Sequence, residues 1–80
     1  MKTESNQEFL EHRKQLGQRI QELRKQKSLS QEELASRVGV DRVHVGYIEQ
    51  GIRSASLEII FAISKALDTE PKNLFEFTSE

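Results

Sequence analysis

The stretch Ser30–Gly51, SQEELASRVGVDRVHVGYIEQG, constrains this chain more than any other, because it holds two helix starts and two helix stops in close succession. Ser30-Gln31-Glu32-Glu33 is a capping box. The serine hydroxyl accepts from the backbone N–H of residue 33, and the Glu33 carboxylate reaches back to the N–H of Ser30. The helix opened this way runs to Val38, with Leu34, Ala35 and Val38 facing inward. Gly39 stops it, because glycine takes the left-handed conformation that ends a helix. Asp41 then stands as the N-cap of a second short helix, which ends before Gly51 and turns Val40, Val45 and Ile48 inward. The two helices are joined by a tight turn at Gly39-Val40-Asp41. Arg42, Val43, His44, Gly46, Tyr47 and Gln50 are left pointing elsewhere.

The remainder of the chain also reads as helix. From about Gln7 to Lys27, Leu16, Ile20 and Leu23 fall on one stripe at i, i+4, i+7, with Arg13, Arg19, Glu22 and Lys25 elsewhere around the cylinder. Phe9 and Leu10 extend the apolar content upstream. This helix is long for so small a domain, and its extra turns rest either on their own core or on a second subunit. After Ile52-Arg53-Ser54-Ala55, Ser56 caps a fourth helix running to about Leu67, with Glu58 placed favourably for the helix dipole. Its inward stripe is Leu57, Ile60, Ile63, Ser64 and Leu67. Ile59, Phe61, Ala62 and Ala66 are apolar too, and such a surplus implies a partner surface. Thr69-Glu70-Pro71 starts a fifth helix, with proline in a first turn that needs no N–H, and Leu74, Phe75 and Phe77 follow. The expected architecture is all-α: one compact five-helix domain over residues 7–77, with helices at about 31–38 and 42–50. Residues 1–6 and 78–80 are expected to be tails.

Composition bounds the function. Eighty residues make one domain, which buries only about 60% of the surface of its unfolded chain, so a partner subunit would help it. The absence of cysteine excludes disulfides and thiolate metal sites and suits a reducing cytoplasm. No apolar run approaches the ~20 residues of a membrane span, and MKTESNQEF lacks a signal-peptide core, so the expected address is cytoplasmic. A catalytic reading has little support. His12 and His44 lie on different helices, no glycine-rich phosphate loop is present, Glu32 and Glu33 point in different directions, and the serines sit at caps. No cofactor, metal or small-molecule ligand is expected.

The net charge of −1 at first argues against a nucleic-acid partner. Its distribution does not: nine Lys/Arg face five Asp/Glu between His12 and Ser54, whereas two face five from Ala55 onward. A basic flank can still dock phosphate, although an ordinary mixed surface would look the same. Two short helices around a tight turn are the shape that places the second helix in the major groove of DNA. An arginine at the start of that helix, Arg42, can donate two parallel hydrogen bonds to guanine O6 and N7. Its plainer alternatives are a phosphate contact or a pair with Asp41. Val43 can pack on a thymine methyl, and His44 and Tyr47 either reach bases or phosphates or form a solvated face. Gly46 costs about 1 kcal/mol against alanine in a helix interior. Either a backbone or DNA approaches it closely, or the helix tolerates it.

LGQRIQELRKQKSLSQEELASRVGVDRVHVGYIEQG followed by SLEIIFAISKAL resembles the XRE family of bacterial and phage regulators, the lambdoid repressor and Cro type, over Leu16–Phe75. The resemblance implies a lambda-repressor-like fold and sequence-specific binding of double-stranded DNA as a homodimer on a pseudo-palindromic operator. It implies base reading by Arg42, Val43, His44 and Tyr47, and phosphate contacts from Gln31 and Gln50, with Arg53 just beyond. It also implies a structural pair between Arg24 and Glu49. Asp41 departs from the usual serine or threonine, Tyr47 is bulky, and Ile52 replaces a common basic residue. The expected dimer surface draws on Ile59, Phe61, Ala62, Phe75 and Phe77. With no effector domain in view, autoregulation is expected, which is similar to the controller proteins of restriction–modification systems. The alternative is a protein-interaction module, such as an antitoxin or anti-repressor, held by the apolar face of the fourth helix.

Overall fold

The computed structural model describes residues 8–77, so the expected tails and the start of the first helix at Gln7 lie outside the described residues. Four α-helices follow one another: α1 (Leu10–Gln26), α2 (Gln31–Val38), α3 (Arg42–Gln50) and α4 (Leu57–Ala66). The expected fifth helix is instead a 3-10 turn, Pro71–Phe75, with Pro71 in its first turn as the sequence suggests. Five residues close too few i→i−4 bonds to hold an α-helix, and the tighter i→i+3 pattern satisfies them better. Among the described residues there is no strand, and no helix is long and apolar enough to cross a membrane.

The helix ends show which local signals act. Glu33 N donates to Ser30 Oγ at 3.0 Å and Ser30 N donates to Glu33 Oε1 at 2.8 Å, which completes the capping box of α2. The backbone N–H of Ser30, and then its hydroxyl, hold the Glu33 carboxyl below the ordinary glutamate range. Gly39 and Gly51 close α2 and α3 at φ 91° and 79°, the left-handed region. Ser56 Oγ accepts from Ile59 N at 3.1 Å. Asp41 differs from expectation: it occupies the N-cap position of α3, but its side chain makes no cap hydrogen bond. The first turn is tightened instead, with His44 N and Val45 N both donating to the Asp41 carbonyl, at 3.0 and 3.2 Å.

Ile20, Leu34, Val45, Ile48, Ile63, Leu67 and Leu74 bring every helix and the closing turn into one core. Each such aliphatic contributes about 1.5–3 kcal/mol relative to leaving it in water. Of the inward stripe expected for α4, Ile60, Ile63, Ser64 and Leu67 are buried, and only Leu57 departs from it. Leu57 is 65% exposed, whereas Ile59 packs against the core. α4 packs against both α2 and the 71–75 turn. Its first residue overhangs the core and shares a face with Phe61, four positions on.

α1 crosses α3 without room for a side chain. A Cβ on Gly17 would collide with the carbonyl oxygens of Ile48 and Glu49, and one on Gly51 would lie 2.8 Å from Lys14 Cγ. Arg13 Nε donates to the Gly51 carbonyl at 2.9 Å, and Arg19 Nε reaches the Asn73 carbonyl at 2.8 Å. The long first helix staples both the end of α3 and the closing turn, while Phe9 just upstream of it is 52% exposed.

Candidate nucleic-acid interface

Behind α3 lies a buried clamp. Arg24 Nε donates to Glu49 Oε2 at 2.7 Å and Arg24 Nη2 to Glu49 Oε1 at 3.0 Å, with the side chains 8% and 1% exposed. Arg24 Nη1 also donates to the Leu29 carbonyl at 2.8 Å. Glu49 Oε1 further accepts from Gln31 Nε2 at 2.9 Å and from Gln21 Nε2 at 3.4 Å. Among the described residues no buried side-chain nitrogen or oxygen lacks a partner. That completeness is what lets two charges sit out of water without a large penalty. The clamp joins α1, α2 and α3, and it fixes the tilt of α3 against the other two.

In front of the clamp, α3 presents its outward side chains. Arg42 and Val43 are exposed, Tyr47 is at the exposed margin, and His44 is half-buried. Val43 and Tyr47 are four residues apart and therefore adjacent on the surface. Arg53, beyond the helix, holds its guanidinium 5.4 Å from the centre of the Tyr47 ring, an arrangement favoured by the ring's negative face. Arg42 makes no pair with Asp41. Its Nη1 donates to Gln31 Oε1 at 3.3 Å. Gln31 is half-buried between Arg42 and the clamp, and Gln50 is exposed at the other end of the helix.

No backbone crowds Gly46. A Cβ there would lie 3.8 Å from Gln31 Oε1 and 3.9 Å from Gln50 Nε2, ordinary van der Waals distances. The glycine is a floor over which the two glutamine amides lie, and alanine would fit.

The residues expected at a dimer surface do not all come together. Phe61, Phe75 and Phe77 line an apolar groove of about 500 Å³ with Leu16 and Leu57. Phe61 is 51% and Phe75 50% exposed, and the Phe75 and Phe77 rings stand 6.4 Å apart. Ile59 and Ala62 lie outside this groove. Ile59 is turned toward the core and Ala62 is half-buried. Leu57 takes the place that the sequence pattern gave to Ile59.

Three residues of the frame escaped the sequence reading. Leu29 directly precedes the Ser30 cap and joins the core with Leu34, the relation of a hydrophobic staple, so its position alone could have found it. An isolated glycine inside a helical pattern, Gly17, is a recognised flag for close packing. For Gln21 there is no local signal, because its partner is on a distant helix.

An outward α3, buttressed by α2 across a glycine turn and clamped from behind, defines a helix-turn-helix DNA-binding domain. The chain belongs to the XRE-type helix-turn-helix family of transcription regulators, and the family HTH_3, described as helix-turn-helix, matches residues 20–74. It is 44% identical over 64 residues to "Control protein C.BamHI" of Bacillus amyloliquefaciens, with 79% of each chain covered. The structure superposes on the restriction-modification controller protein C.AhdI of Aeromonas hydrophila with a TM-score of 0.76 and 50% identity, covering 78% of this chain and 94% of that one. The P22 c2 repressor in complex with a synthetic operator matches at a TM-score of 0.71 and 33% identity, over 76% of this chain and 92% of the repressor.

Proposed function

We propose that this regulator is a homodimeric controller-type protein that reads a pseudo-palindromic operator and governs its own gene together with a restriction–modification system. The observation that carries the reading is the exposed row Arg42, Val43 and Tyr47 on an α3 immobilised by the buried Arg24–Glu49 clamp. Similarity to control proteins supports the subgroup. In this reading Arg42 donates its fork to a guanine and Val43 packs on a thymine methyl. His44 and Tyr47 complete the base contacts. Gln31, Gln50 and Arg53 hold phosphates, which sets register on the duplex. The apolar groove bearing Leu57, Phe61 and Phe75 takes a second copy, and the two α3 helices then enter successive major grooves about 10 bp apart. The protein works where the DNA is, in the cytoplasm, and needs no catalysis, cofactor or small-molecule ligand.

Selection of binding sequences from a random pool tests this. Two inverted half-sites with centres about 10 bp, or a multiple, apart are expected. Arg42→Ala is expected to relax one base position in each half-site. Enrichment of a single asymmetric site overturns the dimeric reading, and an unchanged consensus for Arg42→Ala overturns its base contact.

A further inference from the structure

The chain leaves α3 by folding back on it. Gly51, at φ 79°, reverses the direction, and the backbone N–H groups of Ile52 and Arg53 both donate to the Tyr47 carbonyl, at 2.9 and 3.3 Å. The side chain of Arg53 then returns to the same residue, with its guanidinium 5.4 Å from the centre of the Tyr47 ring. Backbone and side chain of Arg53 are thus both tied to one residue of the outward face. Arg53 is the single cation of the loop 51–56, and among the described residues no carboxylate lies within ion-pair distance of it.

We propose that Tyr47 is a positioning residue for Arg53, its ring holding the guanidinium ready for a DNA phosphate before the duplex arrives. A free arginine side chain must surrender its rotamer freedom when it grips a ligand, and one already held over a ring surrenders less. A carboxylate could hold it too, but would occupy its N–H donors and offset its charge. The ring does neither: its negative face attracts the cation, and the N–H fork stays available for phosphate oxygens. The two backbone bonds fix where the Arg53 side chain starts, and the ring fixes where it ends. The inference rests on the proposed phosphate grip of Arg53. It goes beyond the base contact proposed for Tyr47, since the ring can hold Arg53 without touching a base.

The test is the affinity that the full-length protein loses on Arg53→Ala, measured in three backgrounds: wild type, Tyr47→Phe and Tyr47→Leu, on a site taken from the random-pool selection. Any base contact of Tyr47 cancels, because each background is compared only with its own Arg53→Ala partner. The loss is expected to be equal in wild type and Tyr47→Phe, and roughly two- to fivefold smaller in Tyr47→Leu, the worth of an exposed cation over a ring. In wild type it is expected to come with a salt slope lower by about one, as for one phosphate contact. Equal losses in all three backgrounds overturn the proposal and leave Tyr47 a base contact alone. No loss in any background, or a loss with the salt slope unchanged, overturns the phosphate grip itself and the proposal with it. A second readout needs no DNA: the ring-current shift of the Arg53 Nε–H proton in the free protein. It is expected upfield in wild type and Tyr47→Phe relative to Tyr47→Leu, or to Tyr47→Gln should the leucine variant fold poorly. An unchanged resonance across these variants overturns the positioning role.

Discussion

At the scale of single residues, Glu49 is where most constraints on α3 meet. It accepts from Arg24, Gln31 and Gln21 while only 1% of its side chain remains exposed. A carboxylate so enclosed depends on its cation. Arg24→Met would leave the charge buried without its counter-ion, and the expected loss is about 3–5 kcal/mol of unfolding free energy, read by chemical denaturation. Replacing both partners with apolar residues is expected to recover part of that loss, because no charge is then stranded. A single variant with the wild-type midpoint would show that the pair is not an energetic anchor. The pairing of Arg24 with Glu49 follows from family resemblance. The additional acceptance from Gln21 and Gln31 does not, since it depends on three helices arriving at one point.

Among the elements, α2 shows how far a local signal carries. Its capping box is readable because both partners lie within four residues of each other, and the structure closes both bonds. The box also sets a pH response. Glu33 has its folded-state pKa held below the unfolded value, so the unfolded chain takes up the proton first on acidification. Its contribution is complete above the ordinary carboxylate range and is lost as pH falls through the depressed value. The difference in melting temperature between wild type and Glu33→Gln is therefore expected to be largest near neutrality and to shrink as pH falls below the ordinary carboxylate range. A difference that stays constant would remove the carboxylate from the account. Other elements were less legible. Asp41 has the chemistry of a cap and the backbone of one, φ −76° and ψ 153°, yet its side chain is not used. The exchange of Leu57 and Ile59 shows that a stripe drawn from periodicity blurs where a helix packs against two neighbours. The contracted fifth helix shows that a proline start and an apolar end do not fix the hydrogen-bonding pattern between them.

For the molecule as a whole, the open question of the sequence was where the apolar surplus goes. Most of it is consumed by the core; Leu57, Phe61 and Phe75 stay exposed around one groove, while Phe9, Val43, Tyr47 and Ile52 are exposed elsewhere. The chain has an exposed face on α3, bearing Arg42, Val43 and Tyr47, and a separate apolar edge on α4 and the closing turn. If the second edge joins two copies, Phe61→Glu is expected to move the protein from dimer to monomer in sedimentation velocity. It is also expected to weaken operator binding far more than it weakens binding to a single half-site. Unchanged sedimentation would place the association surface elsewhere.

The crossing at Gly17 gives α3 a fixed end on α1, in addition to its support from α2. Its C-terminal end is pinned, with the Ile48 and Glu49 carbonyls pressed onto α1 where no methyl group could intervene, and Gly51 against Lys14. Arg42 and Val43 project at the opposite tip, about 10 Å along the axis from Glu49 at 1.5 Å per residue. Over such an arm a tilt of roughly 6° at the pinned end displaces the tip by about 1 Å, twice the tolerance of a well-formed recognition site. In the proposed reading, the placement of Arg42 and Val43 thus depends on the far end of the helix, on a residue with no side chain at all.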